Sequence, residues 1–405
     1  MQKIYFLKFF VFITFFNLSA LIDNRFLPFY HTVYLRTYEK RSNIDSNFFM
    51  MFAHKSQVGG NSEGNIFDIY GKYDLLQIGR SLTAVGKTDP LKPEWQVATE
   101  LPFDVPAKID TQGIWFGAEF NLSKCLYVGA RSAFLHLSSN QRFDISDTIT
   151  NDLHLDSGGK IELEIERRQA TDLLGISSEQ WTANGITDLD LYFRVGKIVE
   201  YNHKFKLIDS GILLGILAPV GVKRDIYNSA SIPFGGNGLT GLYAMLEVNL
   251  EVMEDWWFGG WGQIVHRFSK TQKMRIPENK EPQNYGALVQ DVFIDPGLTF
   301  GASAYFRVLD FQKGLGGLAQ YTIVKHTEDE FPHLSDRTVA NTLEQNSEWL
   351  HEYFTVGLLY DMHHAIHTTK YDPYLYVNLD SPVYFFGSEN VPKTFRVSLG
   401  IEVVF

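Results

Sequence analysis

The last eleven residues, FRVSLGIEVVF, constrain the fold of this chain more than any other stretch. Phe395, Val397, Leu399, Ile401, Val403 and Phe405 form one alternating set. Arg396, Ser398, Gly400 and Glu402 form the other, broken only by Val404. Successive side chains of a strand point to opposite faces. The pattern therefore predicts a terminal strand with one wholly apolar face and one polar face.

The same two-residue beat recurs from about residue 45 onward. Ile114, Phe116, Ala118, Phe120 and Leu122 oppose Trp115, Gly117, Glu119 and Asn121. Leu126, Val128, Ala130, Ser132 and Phe134 oppose Tyr127, Gly129, Arg131 and Ala133. Comparable runs start near 188, 241, 298 and 374, while 204–217 and 312–325 are weaker because both faces are fairly apolar. Short connections near 121–124, 200–203, 253–255 and 310–312, and a medium one at 363–371, alternate with long ones at 56–113, 138–186, 219–238, 271–290, 327–349 and 382–393. Counting gives about twelve strands, most near the roughly 9–11 residues that cross a bilayer obliquely.

A sheet greasy on one face and polar on the other must close on itself in lipid, because each unpaired backbone group there costs several kcal/mol. Closure also removes the edges that would otherwise aggregate. The expected fold is therefore all-β: a single transmembrane, antiparallel, up-and-down barrel of about twelve strands. Short helices are expected in its long extracellular loops, near 158–175, 336–352 and 74–83. Aromatics make up 15% of the chain, with 32 Phe and 20 Tyr. Trp256, Trp257, Phe306 and Tyr360, near strand ends, are candidates for interfacial girdles.

The first twenty residues have a basic start, an apolar run and small residues at Ser19 and Ala20, and read as a secretory signal peptide. No later run approaches the length of a spanning helix. Residues 21–43 are read as a periplasmic lead-in, with an extra strand near 29–35 as the alternative, and 44–405 as the barrel. The formal net charge is −11, so nucleic acid is not an expected partner. One cysteine, Cys125, excludes an internal disulfide framework.

A terminal strand that stops at an aromatic carboxy-terminus resembles the closing strand of Gram-negative outer-membrane β-barrels, whose assembly machinery reads such an ending. The architectural resemblance to porin-like barrels covers about residues 45–405. It implies an outer-membrane location, contact with outer-membrane lipids and with the assembly machinery, and passive transport of ions or small solutes. It assigns Phe395, Val397, Leu399, Ile401, Val403 and Phe405 to the assembly signal. It implies no substrate and no oligomeric state.

The polar faces supply the candidate pore-lining set: Glu119, Arg131, Asp190, Arg194, Glu247, Glu251, Arg267, Arg307, Asp361, Asp380, Arg396 and Glu402. Such charges at mid-depth on the lipid face would cost about 2–4 kcal/mol for each Arg or Lys. A mixed-charge channel and a salt-bridged filler are the two readings, with Glu119–Arg131 a natural pair. About eight strands pack solid and about sixteen hold an aqueous channel, so twelve leaves room for a narrow one.

An enzyme is the alternative. His136 and Ser138 share a lipid-facing side, similar to the His-x-Ser arrangement of outer-membrane phospholipases, but no third, orienting residue is identifiable. A non-conducting structural or adhesive barrel is a further reading. His363, His364 and His367 fall in a turn rather than on a helix, so no metal site is expected. No cofactor is expected either.

Overall fold

The computed structural model describes residues 23–29, 33–36, 41–59, 62–96, 98–200, 205–363 and 371–405. The signal-peptide reading of residues 1–20, the turn at 201–203, and His364 and His367 lie outside the described residues.

Twelve strands close a single barrel. They are β1 (Asn43–Ala53), β2 (Ala107–Asn121), β3 (Leu126–Gln141), β4 (Leu189–Glu200), β5 (Leu207–Ala218) and β6 (Gly241–Met253). The ring continues through β7 (Trp256–Arg267), β8 (Thr299–Gln312), β9 (Leu315–His326), β10 (Trp349–Asp361), β11 (Asp372–Pro382) and β12 (Phe395–Val404). Every strand pairs antiparallel with its neighbour in sequence, and β1 pairs with β12 from Asn43↔Val404 to Phe52↔Phe395. The weakly patterned runs at 204–217 and 312–325 are full strands, β5 and β9, each paired along its whole length.

The two-residue beat decides which way each side chain faces. Ile212, Leu214 and Ile216 on β5, Val356 and Leu358 on β10, and Leu399 and Ile401 on β12 lie on the outer, exposed face. Their neighbours Leu213, Leu217, Leu359, Ser398 and Glu402 are buried inside. An exposed apolar surface this continuous has no soluble counterpart; it is the belt a bilayer covers. At the short-turn end, Trp256 packs on Phe306 at 5.4 Å between ring centroids, and Phe405 packs on Phe120 and Tyr371. These are girdle positions. Trp257 is not among them: it is 2% exposed and faces inward, because its neighbour Trp256 takes the outward direction.

The long connections gather at the opposite end and are themselves folded. The longer helices there are α1 (Leu75–Ala84), α2 (Ser157–Leu174) and α3 (Arg337–Ser347), beside short ones at Pro93–Gln96 and Asp147–Asp152. Each longer helix begins at an aspartate, Asp74, Asp156 or Asp336, whose side chain accepts a backbone N–H of the first turn. Gly175 ends α2 with φ of 71°, a left-handed turn that glycine adopts without cost. The faces of α1 and α2 share a small core with Tyr73, Trp95, Leu101 and Tyr285. A hairpin of Lys270–Ile276 and Leu288–Ile294 stands beside them.

Candidate functional site

The lumen is occupied by the chain itself. Residues 23–29 and 33–36, expected as a periplasmic lead-in, run inside the barrel. Asp23 lies at the long-loop end, where it meets Arg267 at the top of β7. Arg41, at the base, donates to the carbonyl of Lys124 in the short β2–β3 turn. Between them the apolar residues pack on the inner wall. Phe29 stacks on Trp115 at 5.5 Å and meets Phe49 edge-on. Leu35 joins Ile198, Leu207 and Trp257. The described residues of this segment meet the wall in more than one direction, so no two-residue pattern marks them.

Arg36 is the anchor. Its side chain is fully buried and reaches three carboxylates on three strands. It forks onto Glu119 of β2 and donates Nη1 to Asp209 of β5 at 3.0 Å and to Glu247 of β6 at 2.7 Å. Arg194 of β4 joins the same cluster, bonding Asp209 and Glu247 at 2.5 Å each. Tyr127 lies under both guanidiniums, 5.4 Å from Arg36 and 5.0 Å from Arg194. Only a chain passing through the lumen can join β2 to β5 and β6 in this way.

A second tier lies beside it. Arg131 donates to the Tyr192 hydroxyl at 2.9 Å, and that hydroxyl donates to Glu119 at 3.2 Å. The expected Glu119–Arg131 pair is therefore relayed through a tyrosine, because Arg36 occupies Glu119 directly. Asp190 lies 4.0 Å from Arg131 and accepts from Tyr243. The Tyr192 ring lies flat over Gly129, where a Cβ would collide with it, so the close approach requires glycine at that position.

The opposite wall is looser. Arg307 bonds Glu402 at 3.0 Å, and Arg396 pairs with Asp380 while donating to the carbonyl of Pro28 at 3.2 Å. An inner cavity of about 110 Å³ remains here, among Phe29, Tyr305, Gln320, Asn378, Ser398 and their neighbours. Glu251 and Asp361 sit near the short-turn rim, hydrogen-bonded to local backbone, and join neither cluster. Of the twelve charged residues expected to line a pore, most are thus buried among each other and against the N-terminal segment. Sequence reading missed Asp209, the one acid in an otherwise apolar strand, and did not connect Arg36 with the lumen.

Above the segment, the loops enclose a cavity of about 570 Å³. Its walls come from residues 23–26, the 223–239 loop, the 270–275 strand and the loop carrying α3. Basic side chains dominate it. Arg275 is buried and donates to the carbonyls of Ile226, Gly286 and Leu174. Burial pulls its pKa down to about 10, so it stays charged at neutral pH. Burial alone would raise the Tyr70 hydroxyl, but Arg224 and Arg25 outweigh it and bring its pKa below the ordinary tyrosine value.

The other expected features behave differently. His136 and Ser138 do face outward on β3, but Nδ1 of His136 bonds Oδ1 of Asn184 at 2.7 Å, and no hydrogen bond joins it to Ser138. A serine nucleophile needs that bond to its base. His363 lies 3.9 Å from Asp372, and no metal-ligating cluster exists among the described residues. Cys125 is exposed in the β2–β3 turn.

Fold and interior together define a class: a twelve-stranded, membrane-type β-barrel with a filled lumen. No protein-family model matches the chain, and no curated protein matches it in sequence. The solved structures it resembles are outer-membrane barrels. One is an outer-membrane channel from Pseudomonas putida F1, at 12% identity and a TM-score of 0.49, over 90% of this chain and 95% of that one. Another is the NanC porin, at 11% identity and 0.31, over 72% and 92%. A third is a mutant of the TodX monoaromatic hydrocarbon channel, at 8% identity and 0.37, over 90% of each chain.

Proposed function

We propose that this protein is an outer-membrane channel held closed by its own N-terminal segment, passing small solutes when that segment shifts. The short-turn end faces the periplasm and the long-loop end faces outward, as in barrels of this construction. The observation that carries the reading is the placement of residues 23–29 and 33–36 within the lumen. A cavity of about 570 Å³ lies on one side of the segment, and a smaller one of about 110 Å³ lies along it. A barrel with no transport role would have no use for an interior kept roomy above a single removable strand of chain. An open diffusion pore with a mixed-charge lumen requires the segment to leave, since it holds Glu119, Glu247, Arg267 and Arg396 among the charges that would line it.

Planar-bilayer recording tests this directly. The full chain should pass small or no currents. Deletion of residues 23–36 should produce open steps larger by an order of magnitude or so, because the emptied barrel is wide enough for water and ions. Equal conductance from the two forms would refute the reading. Silence from both would favour a structural or adhesive barrel.

A further inference from the structure

The vestibule carries a site that the channel reading does not require. Arg25, from the luminal segment, and Arg224, from the β5–β6 loop, converge on one ring. Each guanidinium carbon lies 4.5 Å from the centroid of Tyr70, which bounds their separation at twice that distance. Both line the cavity. Among the described residues neither has a carboxylate partner: Arg25 donates to the carbonyl of Asn346 at 2.7 Å, and Arg224 to the amide oxygen of Asn284. The nearest acids are engaged elsewhere. Asp23 is held by Arg267, Asp329 accepts from His326 and from Gly297, and Asp225 turns back to accept the N–H of Tyr227.

Each guanidinium has five donors; among the described residues, those of Arg25 serve the Asn346 carbonyl and the Tyr70 hydroxyl, and those of Arg224 the Asn284 amide oxygen. Two like charges, each 4.5 Å from one ring centroid in a pocket walled by protein, raise the local positive potential and favour a bound counter-charge. Lys223 and Lys273 add positive charge to the same cavity, in a chain whose net charge is −11. The remaining walls are apolar: Phe26, Ile226, Met274, Phe331 and Trp349. The volume falls within the range of small-molecule pockets.

We infer that this vestibule binds a small organic acid, its carboxylate bridging Arg25 and Arg224 and its apolar body lying against Phe26 and Trp349. Arginine is suited to this role because its planar fork matches a carboxylate with two parallel hydrogen bonds. Arg25 belongs to the segment that closes the lumen, so a bound acid touches the closing element itself. The inference rests on the channel reading only in naming the class of solute; binding can be measured without any current.

The test is calorimetric titration of the full chain in detergent with benzoate, benzenesulfonate and the neutral isostere benzamide. Folding of each variant is checked by the mobility of the unheated band. Benzoate should bind with a Kd on the order of 1 mM, weaken as salt rises, and outcompete benzamide. Arg224→Gln and Arg25→Gln should each weaken benzoate by roughly tenfold. Arg80→Gln, on the exposed face of α1, should leave binding unchanged. Equal binding of benzamide, no binding of either acid up to about 50 mM, or an unaltered Kd in folded Arg224→Gln would each overturn the inference. A barrel silent in bilayers that still binds benzoate through these arginines would sink the channel reading and leave this one standing.

Discussion

On the side of β2, β4, β5 and β6, the luminal segment is tied to the wall by Arg36, Arg194, Glu119, Asp209 and Glu247, all with fully buried side chains. On the side of β8 to β12 it borders a cavity, and among the described residues its polar contact there is the Arg396 donation to the Pro28 carbonyl, from a side chain 17% exposed. The same stretch of chain is thus clamped on one wall and merely adjacent to the other. A buried ion cluster is costly to assemble and costlier to break, since removing one member leaves its partners charged and dry. The clamped wall therefore sets the position of the segment, and any passage in the closed state follows the other.

Substitutions on the two walls should differ accordingly. The largest effect is expected from Arg36→Met, which leaves Asp209 and Glu247 to Arg194 and Glu119 to the Tyr192 hydroxyl. It should cost about 3–5 kcal/mol in the urea midpoint of unfolding and raise conductance toward that of the segment deletion. Arg396→Gln, on the cavity wall, should cost about 1 kcal/mol. Equal losses at the two positions would abolish the distinction between the walls. Ser398→Leu points a larger side chain into the inner cavity. It should reduce any residual current of the closed barrel while shifting stability by less than about 1.5 kcal/mol. An unchanged current would place the residual path elsewhere. The smallest effect is expected from Ser138→Ala on the outer face of β3. Stability should move by no more than about 0.5 kcal/mol, and fatty-acid release from phospholipid, if any, should be unaltered. Loss of such release would revive the hydrolase reading.

The contrast extends to what could be read from the residues. Strands such as β3 and β12 were legible because the bilayer and the lumen sort side chains at a period of two, and that period survives in a single chain. α3 was legible through its helical spacing and α2 in part through its helix formers, while the capping aspartates emerged only in the structure. The neighbouring Trp256 and Trp257 show the limit of composition without phase: two aromatics in a row cannot both face lipid. His136 and Ser138 show the limit of spacing: they share a face, yet the histidine found Asn184 on the flanking strand 180–186 instead.

What the sequence determined by itself is the wall of the barrel, its strand order, its outward apolar face and the inward direction of its charges, because each follows from neighbours a few residues apart. What only the tertiary structure decided is the content of the lumen. Arg36 meets Glu119, Asp209 and Glu247 across 83, 173 and 211 residues of chain. Arg25 and Arg224 meet on Tyr70 from equally remote positions. Such encounters leave no periodic trace, since they depend on closure of the ring and on the path of a segment that packs against all sides of it.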